Sequence, residues 1–206
     1  MSLFAEVDDL LTAGSARVMI GVTGPPGSGK TAIARALVAH RTRSHGAQSV
    51  GYLPMDGFHL SNAVLTRLDQ RDRKGAYDTF DADGFVALLI RVRDAEHDVY
   101  APDFDHTMGE PIAASLILPA AAQLVVVEGN YLALDHGSWS RITGMLDRLY
   151  YVDTPTDLRR ERLLRRHIAA GKSPEAARAW VDDVDEPNAR LIEQTRNRAD
   201  AEISGA

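Results

Sequence analysis

Eight consecutive residues, Gly24-Pro25-Pro26-Gly27-Ser28-Gly29-Lys30-Thr31, fit the spacing G-x-x-x-x-G-K-[ST]. Glycines let the backbone curl until successive N–H groups point inward at phosphate oxygens. In such a loop Lys30 reaches the β- and γ-phosphates and the Thr31 hydroxyl serves Mg²⁺. The flanks agree: an apolar run, Val18–Val22, precedes the loop, and a helical stretch from about Lys30 to Arg43 follows it. The start of that helix adds the positive end of its dipole. The motif points to a nucleoside triphosphate with magnesium and leaves the reaction open.

Two further apolar runs end in a carboxylate followed by glycine. One closes as Pro54-Met55-Asp56-Gly57-Phe58-His59, the other as Val127-Glu128-Gly129-Asn130-Tyr131. The glycines are expected to turn the chain away and leave room beside each acid. A carboxylate there can hold Mg²⁺, directly or through water, or take a proton from an attacking hydroxyl.

The elements that must position these groups alternate between strand and helix. Strands are expected near Val18–Val22, Ser49–Met55, Leu124–Val127, Leu149–Asp153 and Ala201–Ser204. Helices are expected after the glycine-rich loop, near Ser61–Arg71 and Ala82–Asp94, from a Thr154 cap with Pro155 at the first helical position and Asp157 closing a capping box, and from Ser173-Pro174-Glu175 to about Arg198. Tyr100–Pro111 reads as irregular. This order implies a mostly parallel sheet with helices on both faces, whose ligands bind beyond the C-terminal strand ends.

The chain's 206 residues amount to one domain. Hydrophobic residues at 45% and charged residues at 25% exclude a disordered or fibrous chain. A net charge of −6, from 23 Lys plus Arg against 29 Asp plus Glu, argues against nucleic acid and membrane surfaces as partners. The absence of cysteine removes disulfides, iron–sulfur clusters and thiol nucleophiles. No secretory segment or membrane-length apolar run is recognisable, so a cytoplasmic location is expected.

A hydroxyl-rich acceptor needs polar groups around an aromatic wall. The loops offer His59, Asp78, Asp81, Phe104, Asp105, His106, Asn130 and Tyr131; Phe58, Phe80 and Phe85 are assigned to the core. Arg159-Arg160-Glu161-Arg162-Leu163-Leu164-Arg165-Arg166 reads as a helix in which Arg159 and Arg160 face solvent, while Arg162 and Arg166 close over a transferring phosphate as a lid hinged near Gly171. Lys172 is an alternative cation.

The chain resembles the phosphoribulokinase, uridine kinase and pantothenate kinase group of P-loop kinases, from about Arg17 to Ile203. The resemblance is carried by the phosphate loop, Asp56-Gly57-Phe58-His59, Arg73-Lys74-Gly75-Ala76, Thr79-Phe80-Asp81, Pro102-Asp103-Phe104-Asp105-His106, Val127-Glu128-Gly129-Asn130-Tyr131 and Asp185-Glu186-Pro187-Asn188-Ala189. Within the group the chain is most similar to the fructose transport-system, fructokinase-like branch. The resemblance implies a three-layer α/β P-loop domain spanning residues 1–206 with a small helical lid at about 159–188. It implies transfer of the γ-phosphoryl of MgATP to a hydroxyl of a sugar-like acceptor, with fructose a candidate. It further implies that Asp56 is the general base, that Glu128 serves magnesium or substrate, and that the stretch Thr195–Asp200 before the last strand lies near the adenine, where Arg198 is a candidate to stack on the base.

The chain departs from uridine kinases at Arg165–Lys172, which lacks the lid pattern Arg-Asp and Arg-Gly-Arg, and at Pro102-Asp103-Phe104, which replaces Tyr-Asp-Phe. The alternative readings are a nucleoside, pantothenate or ribulose-phosphate acceptor, or a nucleotide-switched regulator. The regulator is disfavoured by the absence of an N-K-x-D guanine signal. Homodimerisation is left open.

Overall fold

The computed structural model describes residues 2–13 and 17–205. Its elements are α1 (Leu3–Thr12), β1 (Val18–Thr23), α2 (Lys30–His45), β2 (Val50–Pro54), α3 (Asn62–Arg67), α4 (Ala82–Arg93), β3 (Val99–Asp105), β4 (Glu110–Leu118), β5 (Leu124–Gly129), β6 (Arg148–Asp153), α5 (Thr156–Ala169), α6 (Pro174–Trp180), α7 (Glu186–Glu193) and β7 (Ala201–Ser204). Five strands form one parallel sheet in the order β2-β5-β1-β6-β7.

Strand periodicity divides the core into two layers. Val18, Ile20 and Val22 of β1 join Leu124 and Val126 of β5 under α1 and α2. Met19, Val125 and Val127 face the opposite way, against Phe85 and Leu89 of α4, Trp139, and Ile192 of α7. Helices thus cover both faces, which is why these strands read as continuous apolar runs. Phe58, Phe80 and Phe85 are all buried, as expected.

Several local expectations are corrected. Residues 99–118 form the antiparallel hairpin β3–β4, with the register shifting between Ala101 and Asp103. Its strands are half-buried or exposed at most positions and each carries a proline, unlike the central strands, which are buried throughout. Helix α5 starts one residue late, after Pro155, and has no side-chain cap, because the Thr154 hydroxyl donates instead to the Ser28 carbonyl at 2.8 Å. Ser173 does cap α6, accepting from the Ala176 amide. The expected long helix to Arg198 breaks into α6, a π-helical turn at Val181–Asp185, and α7 with Pro187 in its first turn. The strand-end glycines leave no vacant space. A Cβ on Gly57 would lie 2.3 Å from the Pro102 carbonyl oxygen, and one on Gly129 would lie 2.4 Å from the Met55 Cβ, so these glycines allow close packing.

Candidate active site

The phosphate loop closes β1 into α2. Gly24, Gly27 and Gly29 all take positive φ, the region that favours glycine. Helix α5 lies directly on the loop: a Cβ on Gly27 would sit 2.7 Å from the Arg159 carbonyl oxygen. The loop is also tied to β7, since the Arg162 guanidinium donates to the Gly205 carbonyl at 2.8 Å and reaches the Gly27 carbonyl at 3.5 Å.

Glu128 aligns with Val22 of β1 and Pro54 of β2, at the strand ends where the loop begins. It is 3% exposed. Thr31 donates to its carboxylate at 3.2 Å from either oxygen, and the Tyr52 hydroxyl donates to Oε1 at 3.2 Å. Burial pushes the Glu128 carboxyl up to about 7, opposed by the Lys30 charge and reinforced by Asp56. Desolvation holds the Lys30 amine below the usual lysine range, while Glu128 and Asp56 pull it back up and Arg166 pushes it further down. Lys30, Glu128, Asp56 and Arg166 thus share one electrostatic site.

Asp56 lies in a 3-10 turn after β2. Its carboxylate takes part in no hydrogen bond or ion pair among the described residues, whereas its backbone carbonyl faces His59 Nδ1 at 2.8 Å. A carbonyl only accepts, so the His59 proton sits on Nδ1. Burial keeps this imidazole below the ordinary histidine range, against the opposing pull of Asp56. His59 lies between Phe80, at 4.0 Å between ring centroids, and Phe104, at 4.7 Å; His106 packs edge-on to Phe104. These rings form an aromatic wall beside Asp56. Tyr131 packs edge-on to Phe80 of this wall, ring centroids 5.7 Å apart, and donates to the Gly75 carbonyl at 2.7 Å; the Asn188 amide reaches the same oxygen at 3.4 Å.

Other expected acceptor groups are already committed locally. Asp81 caps α4 through the Gly84 amide, Asp105 accepts from the Thr107 and Met108 amides in the hairpin turn, and Asp78 pairs with Arg73 at 2.8 Å. Asn130 Oδ1 is buried without a partner, as is Ser28 Oγ within the phosphate loop. Buried unpaired polar atoms are costly, and in a site they are ready to receive a ligand.

The arginine run is rearranged. Arg159, expected in solvent, is 1% exposed; it pairs with Glu186 at 3.4 Å and Glu193 at 3.1 Å and reaches the Pro26 carbonyl at 3.5 Å. Arg162 is a clamp on backbone carbonyls rather than a free lid group. Arg166 is exposed, and its guanidinium has no hydrogen bond or ion pair among the described residues. Lys172 stacks on Trp180, its ammonium 4.3 Å from the ring centroid.

Arg198, expected beside a base, precedes β7 and pairs with Asp135 at 2.6 Å. It lines a cavity of about 520 Å³ with Tyr77, His136, Leu191 and Gln194. Two site residues carry no expectation from sequence. Tyr52 can be placed beside Glu128 only once the β2–β5 register is known. Asp185, which joins His167 at 2.7 Å and bears on the Lys30 charge, lies in a motif whose role spacing does not reveal.

Residues that could serve MgATP fit that role. The glycine-rich cradle, the Lys30 cation and the unpaired Ser28 hydroxyl suit phosphate. A hydroxyl such as Thr31 can donate its proton to Glu128 while its lone pair faces a cation. Among the described residues no cluster of three or more His, Cys, Asp or Glu could hold a metal ion.

This parallel sheet with a glycine-rich loop at the end of β1 defines a P-loop kinase fold. The description of the Phosphoribulokinase / Uridine kinase family matches residues 19–205, and the chain belongs to that family. It is an ATP-dependent small-molecule kinase. A crystal structure from Silicibacter sp. TM1040, provisionally described as a fructose transport system kinase, superposes with a TM-score of 0.87 at 31% identity, covering 98% of this chain and 99% of that one. A Schizosaccharomyces pombe protein provisionally described as a uridine kinase is 34% identical over 160 residues, 75% of this chain and 68% of its own length. A Leifsonia xyli pantothenate kinase is 28% identical over 205 residues, 88% of this chain and 63% of its own length. No helix among the described residues is long and apolar enough to cross a membrane.

Proposed function

We propose that the protein transfers the γ-phosphoryl of MgATP to a hydroxyl of a neutral, sugar-like acceptor, with fructose the first candidate, and that Asp56 takes the acceptor's proton. The observation that carries this reading is the uncommitted Asp56 carboxylate. Asp78, Asp81 and Asp105 are each occupied by a cap, a turn or an ion pair, whereas Asp56 is unpaired beside Lys30, Glu128 and the His59–Phe104 wall.

In the transfer, the acceptor oxygen forms a bond to the γ-phosphorus as the bond to the bridging β-oxygen breaks, and the acceptor proton passes to Asp56. The loop amides and Lys30 hold the phosphates, and Lys30 follows the charge that develops on them. Thr31 and Glu128 would hold the magnesium, which neutralises phosphate charge. Arg166 is the lid cation free to approach the transferring group; Arg162 keeps the loop in shape.

The sugar-like acceptor is supported by the Silicibacter relative's coverage of nearly the whole chain and by Pro102-Asp103-Phe104 in place of the uridine-type triplet. The test is ADP release over free sugars, sugar phosphates, nucleosides and pantothenate. Acceptor-dependent release should appear with a neutral sugar, and Asp56→Asn should lower it about 10²–10⁴-fold while nucleotide affinity stays near wild type. Wild-type turnover in Asp56→Asn removes Asp56 as the base.

A further inference from the structure

Glu128 sits at the end of β5 on the face covered by α2. Val126 and Leu124, at strand period two from it, belong to the core under α2. Tyr52 of β2 is aligned with Val126, one pair of positions short of Glu128, and packs against the same core. From there its phenol extends along the sheet to Glu128. Its ring is braced from α2 by Arg35, whose guanidinium lies 5.8 Å from the ring centroid, one helical turn after Thr31.

The carboxylate has only two hydrogen-bond partners among the described residues. Oε1 receives both Thr31 and Tyr52; Oε2 receives Thr31 alone. Thr31, the second residue of α2, ends the loop motif, and its hydroxyl is the partner that Glu128 would share with the cation of a bound nucleotide. Tyr52 is anchored in the sheet and does not depend on the loop. Without its hydroxyl, Glu128 would be held from one point only, by a group that it shares with the cation.

We propose that Tyr52 is a positioning residue that fixes the orientation from which Glu128 serves the metal of a bound nucleotide, an inference that rests on the reading of Glu128 given above. Partners of this kind commonly matter about 10–100-fold for metal affinity.

The test is binding of a non-hydrolysable ATP analogue, with and without Mg²⁺, to the wild type, Tyr52→Phe, Glu128→Gln and the double variant. Tyr52→Phe keeps the ring, so its unfolding midpoint should match the wild type. Affinity with Mg²⁺ should fall about 10-fold, metal-free affinity should hold within about twofold, and raised Mg²⁺ should restore binding. In the Glu128→Gln background, Tyr52→Phe should add nothing.

An affinity unchanged in Tyr52→Phe would show that Tyr52 only fills space, and equal losses with and without metal, or the same loss in both backgrounds, would show that its hydroxyl does not act through Glu128 and the metal; each result overturns the proposal. A wild type whose binding ignores Mg²⁺ would remove the metal role of Glu128 and this proposal with it. A wild type that needs Mg²⁺ but phosphorylates no acceptor would overturn the sugar-kinase reading alone, leaving Tyr52 to be judged on its own variant.

Discussion

Arg159 is the residue whose removal should be felt most widely. Its guanidinium is almost completely buried and joins three segments: the phosphate loop through the Pro26 carbonyl, and the start and end of α7 through Glu186 and Glu193. Arg159→Met keeps the apolar stem and removes the charge, so the main cost is electrostatic. Glu186, 8% exposed, would keep only Arg160 at 3.8 Å. Breaking a buried pair from one side costs about 3–5 kcal/mol. The 3.4 Å separation and the remaining Arg160 reduce this to roughly 2–4 kcal/mol, with the half-exposed Glu193 adding at most about 1. At this chain length that corresponds to a fall in Tm of about 4–16 °C. Urea unfolding of Arg159→Met, Glu186→Leu and the double variant forms the assay. The double variant should return to within about 1 kcal/mol of wild type, because no uncompensated charge remains. Its nucleotide affinity should stay reduced, because Pro26 has lost its donor. A single variant within about 0.5 kcal/mol of wild type would refute this account and return Arg159 to a solvated helix face.

Three other outcomes follow from the same contacts. Lys30→Ala should abolish transfer and weaken nucleotide binding without loss of fold; wild-type turnover would refute the loop assignment. Arg166→Ala should lower turnover with stability within about 0.5 kcal/mol of wild type, while Arg162→Ala should lower both stability and nucleotide affinity through the lost bond to Gly205; the reverse pattern would exchange their roles. The third outcome concerns Glu128, whose folded pKa is raised from 4.5 to about 7, so the folded protein binds the extra proton and stability from this group declines as pH climbs between those values. Glu128→Gln should therefore gain on the wild type over that range and be more stable at pH 8 by about 1–3 kcal/mol, the loss of Lys30's partner offsetting part of the full shift; a difference equal at pH 5 and pH 8 in urea unfolding would contradict this.

The phosphate loop and the central strands were legible because their signals are local. A glycine-rich loop between strand and helix is contiguous in sequence, and a strand buried on both faces must be apolar throughout. The β3–β4 hairpin was not legible. Its register shifts beside Pro102, each strand carries a proline, and most of its positions are half-buried or exposed, so its apolar residues do not mark a strand buried on both faces. The arginine run shows a different limit. Arg159 and Arg166 are seven residues apart and share a helix face, yet one is buried and the other free. Helical spacing gives the direction of a side chain but not its depth, and about 10 Å of rise carries α5 from the phosphate loop into solvent.

The carboxylates separate what sequence could have decided from what it could not. Asp81 precedes a helix and stands three residues before the amide it caps, a pattern readable from Asp81-Ala82-Asp83-Gly84. Asp105 opens the turn Asp105-His106-Thr107-Met108-Gly109, where an aspartate accepts from amides two and three residues on. Both could have been set aside as local structure before any fold was known. Asp56 and Glu128 carry no such local partner, and that shared lack is itself a weak signal. What separates them lies across the sheet. Glu128 receives Thr31 from α2 and Tyr52 from β2, groups brought to it by the parallel register, and it becomes the anchored acid. Asp56 stands beyond the end of β2, where no donor reaches its carboxylate, and it remains the acid with a free lone pair. A group that must accept a proton during each turnover needs that freedom, whereas one that serves a cation needs to be held. On the proposed reading, the sheet register is what separates the two roles.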